Sequence, residues 1–132
     1  VSGVKHNDLS KKYTLSVEFR EGNIIDGNLY GKGKIVYNNG CLIEGNFDND
    51  LLNGEGKTIN INVEIYEGQF KNGVRNGNGK LILSNKDILE GTFKMGKLEG
   101  LGKCYTKKGD YYEGQFQDNV PWGKGYKKWK DG

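Results

Sequence analysis

The chain has 132 residues, of which 22 are glycine and one is proline, and its 20 Lys and Arg residues oppose 17 Asp and Glu. A net charge of +3 is well short of the basic excess of a nucleic-acid-binding domain, and no apolar run approaches the roughly 18 residues that a membrane-spanning helix needs. Collagen is excluded because glycine does not recur at every third position. The composition leaves a flexible glycine-rich polymer or a repeat fold.

The glycines follow a period of 23 residues, which decides between these two classes. A Glu-Gly pair recurs five times, and a Gly-x-Gly motif follows each pair at a constant distance. A flexible linker keeps no such register, so the sequence predicts a repeat protein. The five pairs begin at Glu21, Glu44, Glu67, Glu90 and Glu113.

The period divides the chain into an irregular N-terminal segment, residues 1–10, and a repeat array, residues 11–132. Lys11 and Tyr13 keep the register of the array although their Gly-x-Gly motif is absent. Five units follow, of which the first is degenerate and the last is partial. The units are 20–42, 43–65, 66–88, 89–111 and 112–132.

Each unit is predicted to form two short strands. In the third unit Tyr66, Gly68 and Phe70 alternate with polar residues at the period of two that marks a strand. Clusters of Asn, Gly and Asp between the strands suit tight turns. No window shows an apolar stripe at helical spacing. We therefore expect an all-β fold, an elongated, twisted, single-layer antiparallel sheet of consecutive β-hairpins with about eleven strands.

The glycine columns have a packing role in this fold. Side chains at i and i+2 share a face of the sheet, so Tyr66 and Phe70 flank a gap at Gly68. We expect an aromatic ring from a neighbouring hairpin to lie over this gap. The Gly-x-Gly pairs are expected to give a similar close approach or a bend in the strand.

These motifs resemble the MORN (Membrane Occupation and Recognition Nexus) repeat family, whose unit reads Tyr-x-Gly-x-Phe followed by a glycine turn and Gly-x-Gly. The match is strongest at 66–70 and 112–116, and it covers roughly residues 11–132. The resemblance implies the hairpin sheet described above. It also implies roles in membrane apposition, phospholipid binding, cytoskeletal scaffolds and dimer formation, with some members joined to a lysine methyltransferase or a lipid kinase.

The residues themselves argue against an enzyme. His6 is the single histidine and lies outside the array. Successive members of the Glu column stand about 10 Å apart on a surface without a cleft, so they do not form a catalytic carboxylate pair. No spacing indicates a metal site, and we expect no cofactor. Cys41 and Cys104 lie too far apart in the array to pair, and reduced thiols favour a cytoplasmic location.

Two sets of lysines could contact anionic phospholipid. One set follows the Gly-x-Gly motifs in a column, and the other is concentrated near the C-terminus. The alternative for the column is that its lysines pair with the Glu column and contribute little. The lysines are Lys34, Lys57, Lys80 and Lys103 in the column, and Lys124, Lys127, Lys128 and Lys130 near the C-terminus.

The C-terminal lysines are interleaved with Trp122, Tyr126 and Trp129, which we predict as a protein interface. An open strand edge there invites pairing with a second chain, and this predicts a homodimer through the terminal edge. The alternative is a cap, in which Trp122 covers the last glycine gap. Lysines and aromatics also alternate on single-strand-binding platforms, but here the core needs the aromatics, so we expect no nucleic-acid partner.

The sequence thus predicts a non-enzymatic scaffold that binds protein, with self-association as one form of that contact. The alternatives are a phospholipid-binding tether and the regulatory repeats of a larger enzyme. The expected location is cytoplasmic, peripheral to a membrane or to the cytoskeleton, as the resemblance implies.

Overall fold

The computed structural model describes residues 16–130, which form ten strands and no helix. The strands are β1 (Val17–Ile25), β2 (Asn28–Tyr37), β3 (Leu42–Asp48), β4 (Leu51–Ile59), β5 (Ile65–Lys71), β6 (Val74–Ile82), β7 (Ile88–Lys94), β8 (Lys97–Tyr105), β9 (Tyr111–Gln117) and β10 (Val120–Lys128).

All ten strands lie in one sheet, in the order in which they occur in the chain, and each pairs antiparallel with the next. The predicted all-β sheet of consecutive hairpins is confirmed. Nine strand spacings make it about 43 Å wide. The sequence predicted about eleven strands. Lys11 and Tyr13, which carried that extra strand, and the N-terminal segment 1–10 fall outside the described residues.

The two strands of each unit are joined by a two-residue turn. Both turn residues have positive φ, which is the type I′ geometry that matches the twist of a hairpin. Asn, Asp and Gly fill nine of the ten places. Met95 fills the tenth at φ 50° and is 86 % exposed. The turns are Asp26-Gly27, Asn49-Asp50, Asn72-Gly73, Met95-Gly96 and Asp118-Asn119.

One face of the sheet, here called the inner face, carries the hydrophobic core. The phenylalanines that follow the Glu-Gly pairs line it, with leucines from the partner strands between them. Tyr37, Ile43, Leu83 and Cys104 pack against its margins. The buried core residues are Leu29, Ile35, Phe47, Leu52, Tyr66, Phe70, Leu81, Leu89, Phe93, Leu98, Tyr112 and Phe116.

A row of glycines crosses the sheet beneath this core. Gly68 pairs with Gly79, and each of them pairs with a further glycine on its other side. A Cβ on Gly68 would lie 2.5 Å from the Asn78 carbonyl oxygen, so the backbones approach too closely for any side chain. The row is Gly22, Gly33, Gly45, Gly56, Gly68, Gly79, Gly91, Gly102, Gly114 and Gly125.

The ring over Gly68 and Gly79 comes from Tyr66 of the same strand, whereas the sequence analysis expected a ring from a neighbouring hairpin. The Tyr66 side chain extends forward along its own strand past Gly68, and its hydroxyl donates to the Gln69 carbonyl oxygen at 3.1 Å. A Cβ on Gly79 would overlap the Tyr66 ring. The expected neighbour does contribute at Gly56, where a Cβ would lie 3.1 Å from the Phe70 ring of the next hairpin.

Tyrosine and leucine replace one another above the glycine row. In three units a leucine from the second strand covers the glycine, as Leu52 covers Gly56 at 3.0 Å from a Cβ position. In the other two units that position holds Arg75 or Pro121, and the first strand supplies a tyrosine instead. One cavity per hairpin is therefore filled from either strand. The pairs are Arg20 and Leu29, Ile43 and Leu52, Tyr66 and Arg75, Leu89 and Leu98, and Tyr112 and Pro121.

Arg75 stands where three other units have a leucine, and it packs against the Tyr66 ring that fills the cavity in place of that leucine. Its guanidinium carbon lies 5.2 Å from the Tyr66 ring centroid, and its Nη1 donates to the Gly96 carbonyl oxygen at 3.3 Å. Burial raises the pKa of Tyr66 to about 12 against the opposing pull of Arg75, and burial lowers the pKa of Arg75. The cation and the ring are thus held together at the inner face.

We expect Gly68→Val to destabilise the fold by more than about 2 kcal/mol, because the new side chain meets backbone that has no room to move. Gly100→Ala is the matched control. Its Cβ would meet nothing within 4 Å, so only the left-handed backbone, at φ 80°, opposes it, at a cost of about 1–2 kcal/mol. Chemical denaturation measures both changes. Equal losses in the two variants would contradict the close-packing explanation.

The exchange of tyrosine and leucine gives a second prediction. Tyr66→Leu leaves the cavity above Gly79 unfilled and should cost about 2–4 kcal/mol. Adding Arg75→Leu recreates the pair found at Leu89 and Leu98 and should recover at least half of that loss. Adding Arg75→Ala instead should recover nothing. Denaturation of the single and double variants decides the matter, and purely additive losses would count against a shared cavity.

Candidate functional site

The face opposite the core, here called the outer face, carries an alternating row of charges across nine strands. The three central glutamates, Glu44, Glu67 and Glu90, each lie directly between two lysines of neighbouring strands, and the two outer ones, Glu21 and Glu113, each pair with one lysine. Lys57 Nζ is 3.9 Å from Glu67 Oε2. We call this row the charge ladder; its members are Glu21, Lys34, Glu44, Lys57, Glu67, Lys80, Glu90, Lys103 and Glu113.

The charge ladder determines which charges surround the lysine column. The four lysines proposed as lipid contacts share the row with five glutamates, so the row as a whole carries a net charge of −1. Lys57, for example, has Glu44 on one side and Glu67 on the other. Among the described residues, Lys57 is the one lysine of the column whose ammonium lies within 4.0 Å of a glutamate oxygen, and such an exposed pair contributes little to stability.

A second row on the outer face is apolar throughout, and the sequence analysis missed it. An aliphatic or aromatic residue lies two positions from each charged residue on the same strand, and therefore on the same face. These apolar residues pair with one another across the sheet without a break from β1 to β9. We call this row the outer ribbon; its members are Phe19, Val36, Leu42, Ile59, Ile65, Ile82, Ile88, Tyr105 and Tyr111.

The ribbon is partly exposed along its whole length. Phe19 and Tyr105 are 46 % and 38 % exposed, and the other seven members are half-buried against one another. Eight strand spacings make the ribbon about 38 Å long. It had a signal in the sequence, since Val36, Ile59 and Ile82 already formed an apolar column. Their partners Leu42, Ile65 and Ile88 form a second column that joins the first only once the register is known.

Tyrosines close the ribbon at the β9 end. The ring centroids of Tyr105 and Tyr111 are 5.0 Å apart, and Tyr126 follows at 6.3 Å from Tyr111. The Tyr111 hydroxyl donates to Glu113 Oε1 at 2.6 Å. This hydrogen bond is the main reason that the pKa of Tyr111 is raised to about 12, because ionising the phenol would set it against the carboxylate.

The C-terminal strand β10 is exposed from end to end. Trp122, Tyr126 and Trp129 are 61 %, 59 % and 59 % exposed. The structure does not gather these three side chains into one patch. Tyr126 joins the tyrosines of the outer face, and the two tryptophans lie seven residues apart, about 23 Å in a strand.

The cap interpretation of Trp122 is wrong, because the last glycine of the row is already covered. A Cβ on Gly125 would overlap the ring of Tyr112, whose hydroxyl donates to the Gln115 carbonyl oxygen at 3.0 Å. The unit thus fills its cavity from its first strand, as the Tyr66 unit does. Trp122 is left on the surface and is available for contacts with another molecule.

The four C-terminal lysines do not share one face. Lys124 and Lys128 project from β10 on the outer side, whereas Lys127 is offset by one residue and projects on the inner side. The Lys127 ammonium lies 6.0 Å from the Trp129 ring centroid. Lys130 follows the strand, and its backbone N–H donates to Asp110 Oδ1 at 3.0 Å. The lysines therefore surround the strand edge.

The concave parts of the outer face are shallow. A groove of about 690 Å³ spans β2 to β5, and its lining consists of lysine, glutamate, asparagine and glycine residues. Among residues 16–130, no group of three or more His, Cys, Asp or Glu side chains is placed to hold a metal ion. Residues 16–130 also contain no helix that is long and apolar enough to cross a membrane.

The two cysteines, Cys41 and Cys104, are free thiols, and burial raises the pKa of Cys104.

The hydrogen bond from Tyr111 to Glu113 predicts a pH dependence. The pKa of Tyr111 lies above its ordinary value of 10.0, so the contribution of this phenol to stability is complete below pH 10 and is lost as the pH rises towards 12. Glu113→Gln removes the carboxylate and should lower the pKa of Tyr111 towards 10. NMR titration of the tyrosine rings, with Tyr111→Phe for assignment, measures this. An unchanged titration would show that Glu113 does not control the phenol.

Comparison with known proteins agrees with this architecture. The MORN repeat family model matches five segments of the chain: residues 21–42, 44–59, 66–88, 90–111 and 112–132. A comparison with curated proteins returned no match. The matched segments cover most of the sequence and contain every residue of the glycine row and the charge ladder, and every member of the outer ribbon except Phe19 and Ile65. The chain therefore belongs to the MORN repeat family.

Proposed function

We propose that this chain is a non-enzymatic scaffold that binds protein through the outer face of its sheet. The observation that carries the proposal is the outer ribbon, nine apolar side chains in an unbroken row on the face opposite the core. A sheet face in contact with water alone normally carries polar side chains. Apolar rows of this length mark contact surfaces.

The charge ladder favours protein over an anionic membrane as the occupant of this face. A bilayer presents negative charge everywhere, so it would attract Lys57 and Lys80 but repel Glu67 between them. The pairwise energies are then opposed along the whole row. A protein surface offers both signs at fixed positions and can complement an alternating row.

β10 supports a second protein contact at the sheet edge. Trp122 in β10 and Trp129 just after it are both exposed, and tryptophan is a residue type that dominates interface energetics. The outer edge of β10 pairs with no strand in the described part of the chain. We propose that this edge also accepts a protein strand, including that of a second copy. We also propose a location in the cytoplasm, beside a membrane or the cytoskeleton.

One observation favours phospholipid binding as the second candidate function. Lys124, Lys127, Lys128 and Lys130 lie within seven residues beside two exposed tryptophans, a composition that suits the interfacial region of an anionic bilayer. The contact would be edge-on, because the lysines project from both faces of β10. This candidate uses the strand edge and leaves the outer ribbon free.

Affinity capture from an extract of the source cells tests the main proposal. The intact chain carries the tag, and the ribbon variant Ile65→Lys is compared with Met95→Lys, which adds the same charge at an exposed turn. We expect specific proteins to be retained by the wild type and by Met95→Lys and lost with Ile65→Lys. Identical capture by all three chains would refute binding through the outer face.

Sedimentation with phosphoinositide-containing vesicles tests the second candidate. Salt-sensitive co-sedimentation that is lost when the four C-terminal lysines are changed to glutamate would support edge-on lipid binding. We expect the charge ladder to contribute nothing, so Lys57→Glu should sediment as the wild type does. Absence of salt-sensitive binding in the wild type would end the lipid proposal.

A further inference from the structure

The outer ribbon needs an occupant of matching length and charge. We propose that a second copy of this chain covers it, face to face, with a two-fold axis that runs parallel to the strands between β5 and β6. This inference rests on the proposed protein-binding function and names the partner and the surface. It concerns the outer face and is independent of the terminal edge at β10.

The alternation of the charge ladder is what points to a second copy. A two-fold axis parallel to the strands keeps each row opposite the same row of the other copy but reverses the strand order. If the axis passes between two strands, each glutamate faces a lysine; if it passes through a strand, like charges meet. Between β5 and β6, Glu67 faces Lys80 of the second copy and Lys57 faces Glu90. The ladder is therefore self-complementary.

The same axis superposes the two ribbons. Ile65 of one copy faces Ile82 of the other, and Ile59 faces Ile88, so the centre of the interface is entirely aliphatic. Further out, Leu42 faces Tyr105 and Val36 faces Tyr111. Apolar contacts at the centre with a charged row beside them are the usual anatomy of a protein interface.

The position of the axis follows from overlap. The line between β5 and β6 is the midline of the ten described strands, so it gives the largest shared area. The two sheets would pack as an aligned sandwich at about −30°, the angle that sheet twist produces. Because of this angle, the facing residues are best aligned near the axis, and their alignment worsens towards the ends of the interface.

The available area is that of a stable dimer. The ribbon, the charge ladder and the next row on the outer face, which runs from Lys32 through Glu55 and Asn78 to Gln115, cover about 38 Å by 20 Å. This footprint of about 750 Å² per copy is close to the roughly 800 Å² that each partner contributes to a standard interface.

A charge-swap mixing experiment tests the facing pairs without depending on fold stability. In a homodimer of Lys57→Glu, both Lys57–Glu90 contacts become like-charged, and the same holds for a homodimer of Glu90→Lys. Each variant alone should dimerise at least about tenfold more weakly than the wild type. An equimolar mixture restores both contacts, so its Kd should return close to the wild-type value. β4 and β7 are three strands apart, about 14 Å, so no contact within one chain explains such a rescue.

Sedimentation velocity over a concentration series measures these constants on the intact chain. Ile82→Glu should abolish the dimer, and Met95→Lys should leave it unchanged. A monomeric wild type, or a mixture no tighter than its components, would overturn the inference. A dimer lost in Trp129→Ala but kept in Ile82→Glu would overturn it too, by placing self-association at β10. If the wild type is monomeric and Ile65→Lys still loses captured proteins, the scaffold function stands and the occupant is a different protein.

Discussion

The contact on which the fold depends is the close approach of paired glycines across neighbouring strands. Where Gly68 meets Gly79, neither residue has a Cβ, and the space above the pair is large enough for a tyrosine ring or a leucine side chain. The side chain that fills it lies flat against the backbone. Each hairpin therefore buries its core within its own width and that of one neighbour, which is why a one-layer sheet can stand without a second layer over the inner face.

Because the core of this one-layer sheet lies entirely on the inner face, the outer face is left available for contacts with other molecules. In this chain the Glu-Gly and Gly-x-Gly motifs that build the inner face also place a charge on the outer face beside each glycine of the row except Gly125, which Tyr126 follows. The strand then continues with an apolar residue two positions away, such as Ile65 beside Glu67. One 23-residue unit thus specifies two surfaces, a closed core on one side and an alternating charged and apolar surface on the other.

The sequence alone was sufficient for the properties that repeat within a unit. The period, the two strands and the need for glycine follow from residue spacing, and the structure confirms the all-β hairpin sheet. Properties that depend on pairing between units were out of reach. Leu42 and Ile59 are seventeen residues apart and become neighbours only through the register of β3 on β4. The source of the rings at Gly79 and Gly125, and hence the exposure of Trp122, depended on how far Tyr66 and Tyr112 extend along their own strands.

The alternation of charge has a consequence for any protein built from such units. Because the first strand of each unit contributes a glutamate and the second a lysine, adding a unit extends the charge ladder and keeps it self-complementary. A face-to-face contact can then shift by a whole unit and still match its charges, so charge alone does not fix the register. The ends of the rows must do so: the row of the ribbon meets Lys128 at β10, and the ladder meets Tyr126 there. In the central register these breaks lie at the margin of the interface, opposite Phe19 and Glu21 of β1, whereas a shift of two units towards β10 would set Lys128 opposite Ile65. A shift in the other direction leaves β9 and β10 without a facing strand and buries less area.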